Sequence, residues 1–435
     1  MLSVSEPLRP LSKALPTGWR IQSFSEMLSE PVRNGVYKPK EFHGTGVRVV
    51  NMGELFGNEF ISCQKMKRVE LTPAETANFG LKDGDLLFAR RSLIFEGSGK
   101  CSLLVNPVEP MTFESSIIRA RPNPDIALPR FLFYLFSSPL GRAIMASIAT
   151  RTAVSGIRGS DLSKLTLPIP PLIAQRRIVS VLLAYDDLIE INQRRVEILE
   201  TTISALYREW FANFRFPGHD QIRRVPSVLG DIPNGWGVQR VDEICSAVLD
   251  GDWIETKDQG GDDYRLLQIS NIGLGEFVET GNYRFVTRET FHRLHCNEIL
   301  PSDILVARMP TPIGRAWLAT PMAWKMITAV DVAILRVAPN RVLPSFLVQA
   351  WNQVSNLRRI AAQASGTTRL RITRRELAAL EFVIPPIDLQ ARFDGVVSSM
   401  RALIQTMVST IDVLRRTRDS LIPRLVLGQI ELGPD

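Results

Sequence analysis

The chain has 435 residues, of which 45% are hydrophobic, so its length suits roughly two to four domains and its composition argues against disorder. Its formal net charge is +7, and 42 of the 52 basic residues are arginine (52 − 10 lysines). This basic excess favours nucleic acid as a partner over an anionic membrane. A GC-rich coding bias is the alternative explanation for the arginines.

The cysteines and the apolar runs exclude several other classes. The four cysteines are scattered and form no C-x-x-C motif, which argues against a disulfide framework and a zinc site. The N-terminal residues show no signal-peptide pattern, and the densest aromatic run, residues 131–136, is too short to cross a bilayer. We therefore expect a reduced, cytoplasmic protein without a membrane partner, a metal or a cofactor.

In chain order, the first half opens with short apolar runs at residues 47–52, 85–89 and 101–105, which Gly, Pro and Asn separate. This punctuation predicts strands and turns. A helical stretch follows at residues 129–149. Residues 1–168 are therefore predicted to form a first globular domain of the α+β class.

A double proline, Pro170-Pro171, then introduces a long helix predicted over residues 169–212, because proline is tolerated where a helix starts. Its apolar positions alternate in steps of three and four residues, as in a coiled-coil seam. The seam positions are Leu182, Tyr185, Ile189, Asn192, Val196, Leu199, Ile203 and Leu206. Asn192 is the lone polar residue among them, and a buried Asn usually fixes register. Residues 213–232 are predicted to be a linker.

The second half of the chain repeats the first. Residues 15–19 (LPTGW) recur as residues 232–236 (IPNGW), 217 positions later, and residues 85–90 recur as residues 303–308. Toward the end of each half the offset settles at 215. The matches there include Pro170-Pro171 with Pro385-Pro386 and Gln175 with Gln390. Such small changes of offset indicate a duplicated unit with few insertions.

The repeat predicts a second α+β domain over residues 233–383 and a second long helix with a C-terminal tail over residues 384–435. The second seam consists of Val397, Met400, Ile404, Met407, Ile411, Leu414, Arg418 and Leu421. A helix of about 35–40 residues, roughly 55 Å long, cannot bury its seam within one domain. We predict that the two helices form an antiparallel coiled coil that separates two similar domains in a pseudo-two-fold arrangement. Two ordinary core helices of a larger bundle are the alternative.

Several motifs resemble those of the specificity subunit of type I restriction–modification enzymes. They are the Pro-x-Gly-Trp that opens each half, the GDLLFAR run at residues 84–90, and PIPPL at residues 168–172 followed by Gln175 and a long helix. The resemblance covers residues 14–425. It implies two target-recognition domains that each read one half of a split site in double-stranded DNA, with the helices setting the unread gap. It also implies docking of two adenine-N6 methyltransferase subunits, joined by a motor-nuclease (restriction) subunit for cleavage.

The clearest basic cluster of the sequence lies in the second half. It comprises Arg358, Arg359, Arg369, Arg371, Arg374 and Arg375, with no acidic residue from the first to the last. Within it lies Ser365-Gly366-Thr367-Thr368, and small hydroxyls and free backbone N–H groups beside arginines suit phosphate oxygens. The family resemblance also implies a DNA-facing loop here. The first half offers Arg151, Thr152, Ser155 and Arg158. A solvated helix-to-strand junction is the alternative.

Two further sets of cations are candidate DNA contacts. Lys38, Lys40 and Lys257 lie in polar loops early in each half, where they could equally be ordinary surface lysines. Arg90 and Arg308 each end an apolar strand, and an arginine at a strand end could reach a base edge. The alternative for these two is a structural ion pair with Asp85 or Asp303.

The sequence gives little evidence for a metal site or for a catalytic centre. His292 and His295 lack further ligands nearby, and the nuclease-like set Asp252, Glu255 and Lys257 has no acidic counterpart in the first half. Neither a Walker phosphate loop nor the Asn/Asp-Pro-Pro-aromatic tetrapeptide of amino-methyltransferases occurs. The sequence therefore predicts a non-catalytic DNA-reading subunit. A coiled-coil scaffold that does not touch DNA is the main alternative, and a self-sufficient nuclease or methyltransferase is disfavoured by the missing motifs.

Overall fold

The computed structural model describes residues 15–150, 155–279, 283–366 and 369–430. The chain divides into two compact units. Unit 1 comprises Met1–Gln193 and Val408–Asp435, and unit 2 comprises Arg194–Met407. Because the boundaries fall within two long helices, each unit contains one half of each helix.

Unit 1 combines short strands with five short helices and the beginning of the first long helix. Its strands are β1 (Arg20–Ser23), β2 (Leu28–Asn34), β3 (His43–Val50), β4 (Phe60–Ile61), β5 (Lys67–Val69), β6 (Leu86–Ala89), β7 (Arg91–Ser92), β8 (Cys101–Leu104), β9 (Met111–Phe113), β10 (Ile117–Pro122), β11 (Ser155–Gly156) and β12 (Thr166–Ile169). Its helices are α1 (Met52–Gly57), α2 (Pro73–Phe79), α3 (Pro129–Ser137), α4 (Pro139–Ile148), α5 (Gly159–Ser163) and the first part of α6 (Leu172–Tyr207).

Unit 2 contains the same kinds of element. Its strands are β13 (Arg224–Val225), β14 (Ile232–Pro233), β15 (Gly237–Arg240), β16 (Cys245–Asp250), β17 (Tyr264–Leu267), β18 (Phe285–Val286), β19 (Ile304–Ala307), β20 (Ala316–Leu318), β21 (Lys325–Thr328), β22 (Val332–Val337) and β23 (Glu381–Ile384). Its helices are α7 (Val241–Ile244), α8 (Arg288–Arg293), α9 (Pro344–Trp351), α10 (Val354–Gln363), α11 (Arg374–Ala379) and the first part of α12 (Ile387–Val426).

The two units have matching sheets. The main sheet of unit 1 has the order β2-β10-β6-β8-β4, and that of unit 2 has the order β16-β22-β19-β20. A second, three-stranded sheet is β5-β3-β9 in unit 1 and β18-β17-β21 in unit 2. In that sheet Arg48 pairs with Met111, and Arg265 pairs with Met326, both in parallel strands. The predicted duplication and the α+β class of both halves are confirmed.

The predicted helical stretch at residues 129–149 is two helices, because Pro139 lacks the N–H group that would continue α3. The Ser138 hydroxyl instead accepts a hydrogen bond from the N–H of Gly141 and caps α4. The aromatic run at residues 131–136 is buried in α3 and forms part of the core. No single described helix is long and apolar enough to cross a membrane, and the α3–α4 pair passes that test only as two helices bent by 79°.

A buried glutamine joins each long helix to its unit in the same way. In unit 1 the Gln175 side chain accepts a hydrogen bond from the N–H of Leu128 (2.7 Å) and donates one to the Pro170 carbonyl. In unit 2 Gln390 accepts from the N–H of Leu343 (2.8 Å). Both glutamines are fully buried. The Pro-Pro-x-x-x-Gln pattern in the sequence therefore fixes where each helix leaves its domain.

The two long helices are antiparallel. In unit 1 the carboxylate of Asp186 on α6 binds Arg418 on α12, and in unit 2 the ring of Tyr207 on α6 contacts Phe393 on α12. As the residue number on α6 increases, the number of the residue that it contacts on α12 decreases. The seam positions are buried or half-buried, including Leu182, Ile189, Val196, Leu199, Ile203, Val397, Ile404, Met407, Ile411 and Leu414. The predicted antiparallel pair with its seam is confirmed.

The buried polar residue of α6 that contacts α12 in unit 1 is Asp186, not Asn192. The Asn192 amide is half-buried and donates to the Leu188 carbonyl of its own helix, so it forms no register-fixing bond across the seam among the described interactions. Asp186 accepts hydrogen bonds from Tyr134 and Arg418. Burial lowers the pKa of Arg418, but the neighbouring carboxylates outweigh this effect and raise it above its usual value.

Candidate nucleic-acid interface

Arg90 and Arg308 occupy equivalent places at the ends of β6 and β19. The Arg90 carbonyl accepts a hydrogen bond from the N–H of Ile157 (3.0 Å), and the Arg308 carbonyl accepts one from Ile372 (3.2 Å). Each strand end is therefore joined to the segment that follows α4 in unit 1 or α10 in unit 2. That segment carries Arg158 in unit 1, and Arg369 and Arg371 in unit 2.

In unit 1 these arginines line an open pocket of about 550 Å³. Its described lining residues are Asn34, Arg90, Arg91, Thr150, Gly156, Ile157, Arg158 and Gly159. Arg90 donates one hydrogen bond to the Ser115 carbonyl, whereas the exposed Arg91 and Arg158 form no ion pair with any described residue. Three arginines, with no acidic side chain among its described lining residues, make this pocket suitable for phosphate oxygens.

In unit 2 two aspartates partly neutralise the equivalent arginines. Arg308 is only 6% exposed and donates to Asp250 (2.6 Å). Asp250 also pairs with Arg374 (3.3 Å), and Arg371 pairs with Asp331 (3.2 Å). Burial, and then the charge of Arg371, lower the pKa of Arg308. Arg308 therefore orders this cluster, and contact between its guanidinium and a base stays a prediction.

The ion pairs considered as the alternative for these two arginines are formed by other arginines. Asp85 accepts two hydrogen bonds from Arg121, both 2.7 Å long. Asp303 accepts two from Arg336, at 2.9 and 2.8 Å. Both aspartates are buried at the start of a central strand, and each arginine comes from the adjacent antiparallel strand. The expectation that Asp85 or Asp303 pairs with the strand-end arginine is wrong.

The three candidate lysines have different surroundings. Lys38 pairs with Glu75 (2.7 Å) and lies over the Phe42 ring, whereas Lys40 is exposed and forms no ion pair with a described residue. Lys257 is exposed and pairs with Glu255 (2.8 Å). The exposed lysines could reach a polyanion only as mobile point charges.

The structure also shifts the repeat by one residue in this loop. Short 3-10 turns span Lys40–Phe42 in unit 1 and Thr256–Asp258 in unit 2, an offset of 216. Lys257 therefore corresponds to Glu41 and not to Lys40, although Lys40 lies 217 positions before it. The loop that follows in unit 2 restores the offset of 217 by β3 and β17.

The remaining arginines of the second-half cluster differ in burial and in contacts. Arg359 lies over the Phe382 ring and donates to the Glu381 carbonyl, so it serves the domain core. Arg358, Arg369 and Arg375 are exposed. The candidates Arg151, Thr152, Thr367 and Thr368 lie outside the described residues.

The acid–acid–lysine set is not assembled. Asp252 accepts hydrogen bonds from the N–H of Asn297 (3.2 and 3.1 Å), while Glu255 pairs with Lys257. Burial raises the pKa of Asp252 to about 6. Among the described residues, no three His, Cys, Asp or Glu side chains are grouped so that they could hold a metal ion.

Comparison with known proteins finds type I restriction–modification specificity subunits. Residues 32–201 match the family model of the type I restriction modification DNA specificity domain. The chain is 21% identical over 399 residues to the MjaIX specificity subunit of Methanocaldococcus jannaschii, which covers 91% of this chain and 89% of that one. It is 30% identical over 191 residues to the EcoKI specificity subunit of Escherichia coli, covering 42% and 40% of the two chains.

Solved structures agree in fold. The S subunit of a type I restriction-modification system from M. genitalium aligns over 95% of this chain and 96% of that chain, with a TM-score of 0.53 and 13% identity. Together with the family model and the two specificity subunits, this likeness accounts for both repeated units and both long helices. The chain is thus similar to type I restriction–modification specificity subunits over nearly its whole length.

Proposed function

We propose that this chain is the non-catalytic subunit that recognises a split site in double-stranded DNA for a cytoplasmic type I restriction–modification complex. Residues 1–168 and 233–383 are the two target-recognition domains, and each reads one half of the site. The spacer helices 169–212 and 384–435, with the linker 213–232, set the unread gap. The subunit directs two methyltransferase subunits and the motor-nuclease subunits to that site.

The observation that carries this proposal is the repeated arginine cluster at the strand end. A guanidinium binds phosphate oxygens and guanine edges through paired hydrogen bonds, so arginine suits both positioning and reading. In unit 1 Arg91 and Arg158 are exposed beside Arg90 with no carboxylate among the pocket residues. In unit 2 the exposed Arg369 lies two residues from Arg371. Both loops therefore offer cations to DNA at matching places of a duplicated fold.

The salt dependence of DNA binding tests the role of the unit 1 pocket. Each phosphate contact adds roughly 0.9 to the slope of log affinity against log salt concentration. Replacing Arg91 and Arg158 together with Ala should weaken binding to duplex DNA and lower the slope by about 1.8, since two contacts are lost. Arg369→Ala with Arg371→Ala should have the same kind of effect in unit 2. Fluorescence anisotropy of labelled duplex over a salt series measures both quantities.

Arg416→Ala is the matched control, because Arg416 is an exposed arginine on α12 that pairs only with Asp412 among the described residues. It should leave the affinity and the slope unchanged. A chain that does not bind duplex DNA at any salt concentration would favour the scaffold alternative. A slope unchanged in both double variants would remove the arginine clusters from the DNA interface.

The spacer role has its own test. Inserting seven residues, two helical turns, into both α6 and α12 keeps the seam pattern in phase. The methylated site should then contain a longer unread gap between unchanged half-sites, as read by sequencing of methylated adenines. Changed half-site sequences with an unchanged gap would contradict the spacer assignment.

A further inference from the structure

A short loop with the pattern Asn/Asp-Gly-x-aromatic follows β2 in unit 1 and β16 in unit 2. The sequences are Asn34-Gly35-Val36-Tyr37 and Asp250-Gly251-Asp252-Trp253. The glycines permit a close backbone approach: a Cβ at Gly35 would lie 2.2 Å from the Glu114 carbonyl oxygen, and one at Gly251 would lie 2.1 Å from that of Ala329. Any other residue would push the loop away from the strand beside it.

The residue after each glycine confirms that the two loops are equivalent. Val36 forms a parallel bridge with Glu114, and Asp252 forms a parallel bridge with Ala329. The next residue is then an aromatic ring in both units, tyrosine in one and tryptophan in the other. The two loops therefore present their rings at the same place on the duplicated fold.

Both rings are largely exposed to solvent. Tyr37 is 78% exposed and Trp253 is 72% exposed, more than any other aromatic side chain in the described ranges. Scattered exposed apolar residues are common, but the same exposure at the same position of two diverged units is not explained in that way. The Trp253 indole is held by a hydrogen bond to Glu255, which also pairs with Lys257. The indole N–H is thus engaged, while most of the Trp253 side chain is exposed.

Each ring follows by three residues a residue that lines or binds the arginine cluster of its own unit. Asn34 lines the unit 1 pocket with Arg90 and Arg158, and Tyr37 follows it by three residues. Asp250 binds Arg308 and Arg374, and Trp253 follows by three residues. Three residues span at most about 10 Å, so the backbone of each aromatic residue lies within that distance of Asn34 or Asp250. A flat apolar face beside cations matches a nucleotide, which pairs a flat base with a phosphate.

We infer that Tyr37 and Trp253 contact nucleobases, one in each half of the DNA site, while the neighbouring arginines hold the phosphates. The inference rests on the proposed function and adds a binding residue to each domain. The ring packs against a base edge in a groove, such as a thymine methyl group, or stacks on a base that has left the duplex stack. Because the two loops are equivalent, both contacts fall at the same place relative to their half-sites.

Selection from a pool of random-sequence duplexes, with the full chain assembled with its methyltransferase subunits, tests this inference. Tyr37→Ala should lower affinity for the wild-type site roughly 5- to 100-fold and relax the base preference in one half only. Trp253→Ala should do the same in the other half. Tyr37→Phe and Trp253→Phe keep a flat ring and should retain the selected site.

Val108→Ala and Val228→Ala are matched controls, because these valines are 72% and 78% exposed in units 1 and 2. They should select the wild-type site. Ala variants of both aromatics that select that site with affinity within about twofold of the controls would overturn the inference. So would weaker methyltransferase docking with unchanged DNA selection, because the rings would then be a protein contact.

The proposed function and the aromatic contact can fail separately. If the wild-type complex enriches no sequence at all, the proposed function fails and this inference fails with it. If the wild-type complex enriches a split site and the arginine variants weaken it while the alanine variants at Tyr37 and Trp253 do not, only the aromatic contact is wrong. Adding 2-aminopurine at the affected position distinguishes stacking, which changes its fluorescence, from an edge contact, which does not.

Discussion

Replacing Arg418 with Met should destabilise unit 1 by about 3 kcal/mol, because the Asp186 carboxylate would stay buried without its cation. Asp186 is 9% exposed and Arg418 is 8% exposed, and their side chains are 2.6 Å apart. Breaking such a pair from one side costs about 3–5 kcal/mol. The lower end applies here, since Tyr134 still donates a hydrogen bond to Asp186. The Glu59 contact adds little, because that side chain is 52% exposed.

Hydrogen–deuterium exchange is the suitable assay for this variant. All tryptophans except Trp19 lie in unit 2, so fluorescence would report the wrong unit. Peptides from α3 and from residues 172–193 and 408–426 should exchange faster in Arg418→Met, while peptides from α9 should not change. The double variant Asp186→Leu with Arg418→Met should cost less than Arg418→Met alone, since no charge is left buried.

The repeat provides a control at the matching place. Arg401 occupies in unit 2 the position that Asp186 occupies in unit 1, an offset of 215, and it pairs with the partly exposed Asp394. Arg401→Met should therefore cost about 1 kcal/mol or less. A loss below about 1 kcal/mol in Arg418→Met, or an equal loss in both units, would refute the account of this buried ion pair.

Two further predictions concern stability. Burial raises the pKa of the Asp252 carboxyl from 3.8 to about 6, so the folded state binds that proton more tightly than the unfolded state does. The stability gained from this protonation is therefore lost as the pH rises from about 4 to about 6. Asp252→Asn should therefore be more stable than wild type by about 1 kcal/mol at pH 8, a free energy already reduced for the partial exposure of Asp252, with little difference at pH 4. Thermal unfolding at the two pH values measures this difference. Lower stability of the variant at pH 8 would contradict the prediction. Gln175→Leu and Gln390→Leu should each cost about 2 kcal/mol, because the N–H of Leu128 or Leu343 loses its buried acceptor. Exchange at those two amides measures the loss, and unchanged protection would count against the role of the glutamines.

The duplication and the helix seams could be predicted because they rest on patterns that are local in sequence. The opening Pro-x-Gly-Trp, the double prolines and the three-four spacing each recur at nearly constant offset. The one-residue slip that separates Lys40 from Lys257 could not be seen, because polar loops carry no periodic pattern that fixes their alignment. Consequently the equivalence of Tyr37 and Trp253 emerged only from the backbone bridges.

The partners of the arginines could not be predicted, because they come from distant strands. Asp250 reaches Arg308 from 58 positions away, and Asp331 reaches Arg371 from the end of a neighbouring strand. The same limit applies to the helices. Asp186, one residue from the predicted seam position Tyr185, is neutralised by Arg418, which lies 232 positions away on α12.

Sequencing the methylated adenines of the host genome, with and without this chain, tests the central claim most directly. The claim is that two copies of one domain each read half of a split site. It predicts one methylated motif, two short specified sequences flanking a gap of fixed length, that disappears when the chain is removed and changes in only one half when one domain is exchanged. Methylation that does not depend on the chain, or a single uninterrupted motif, would contradict it.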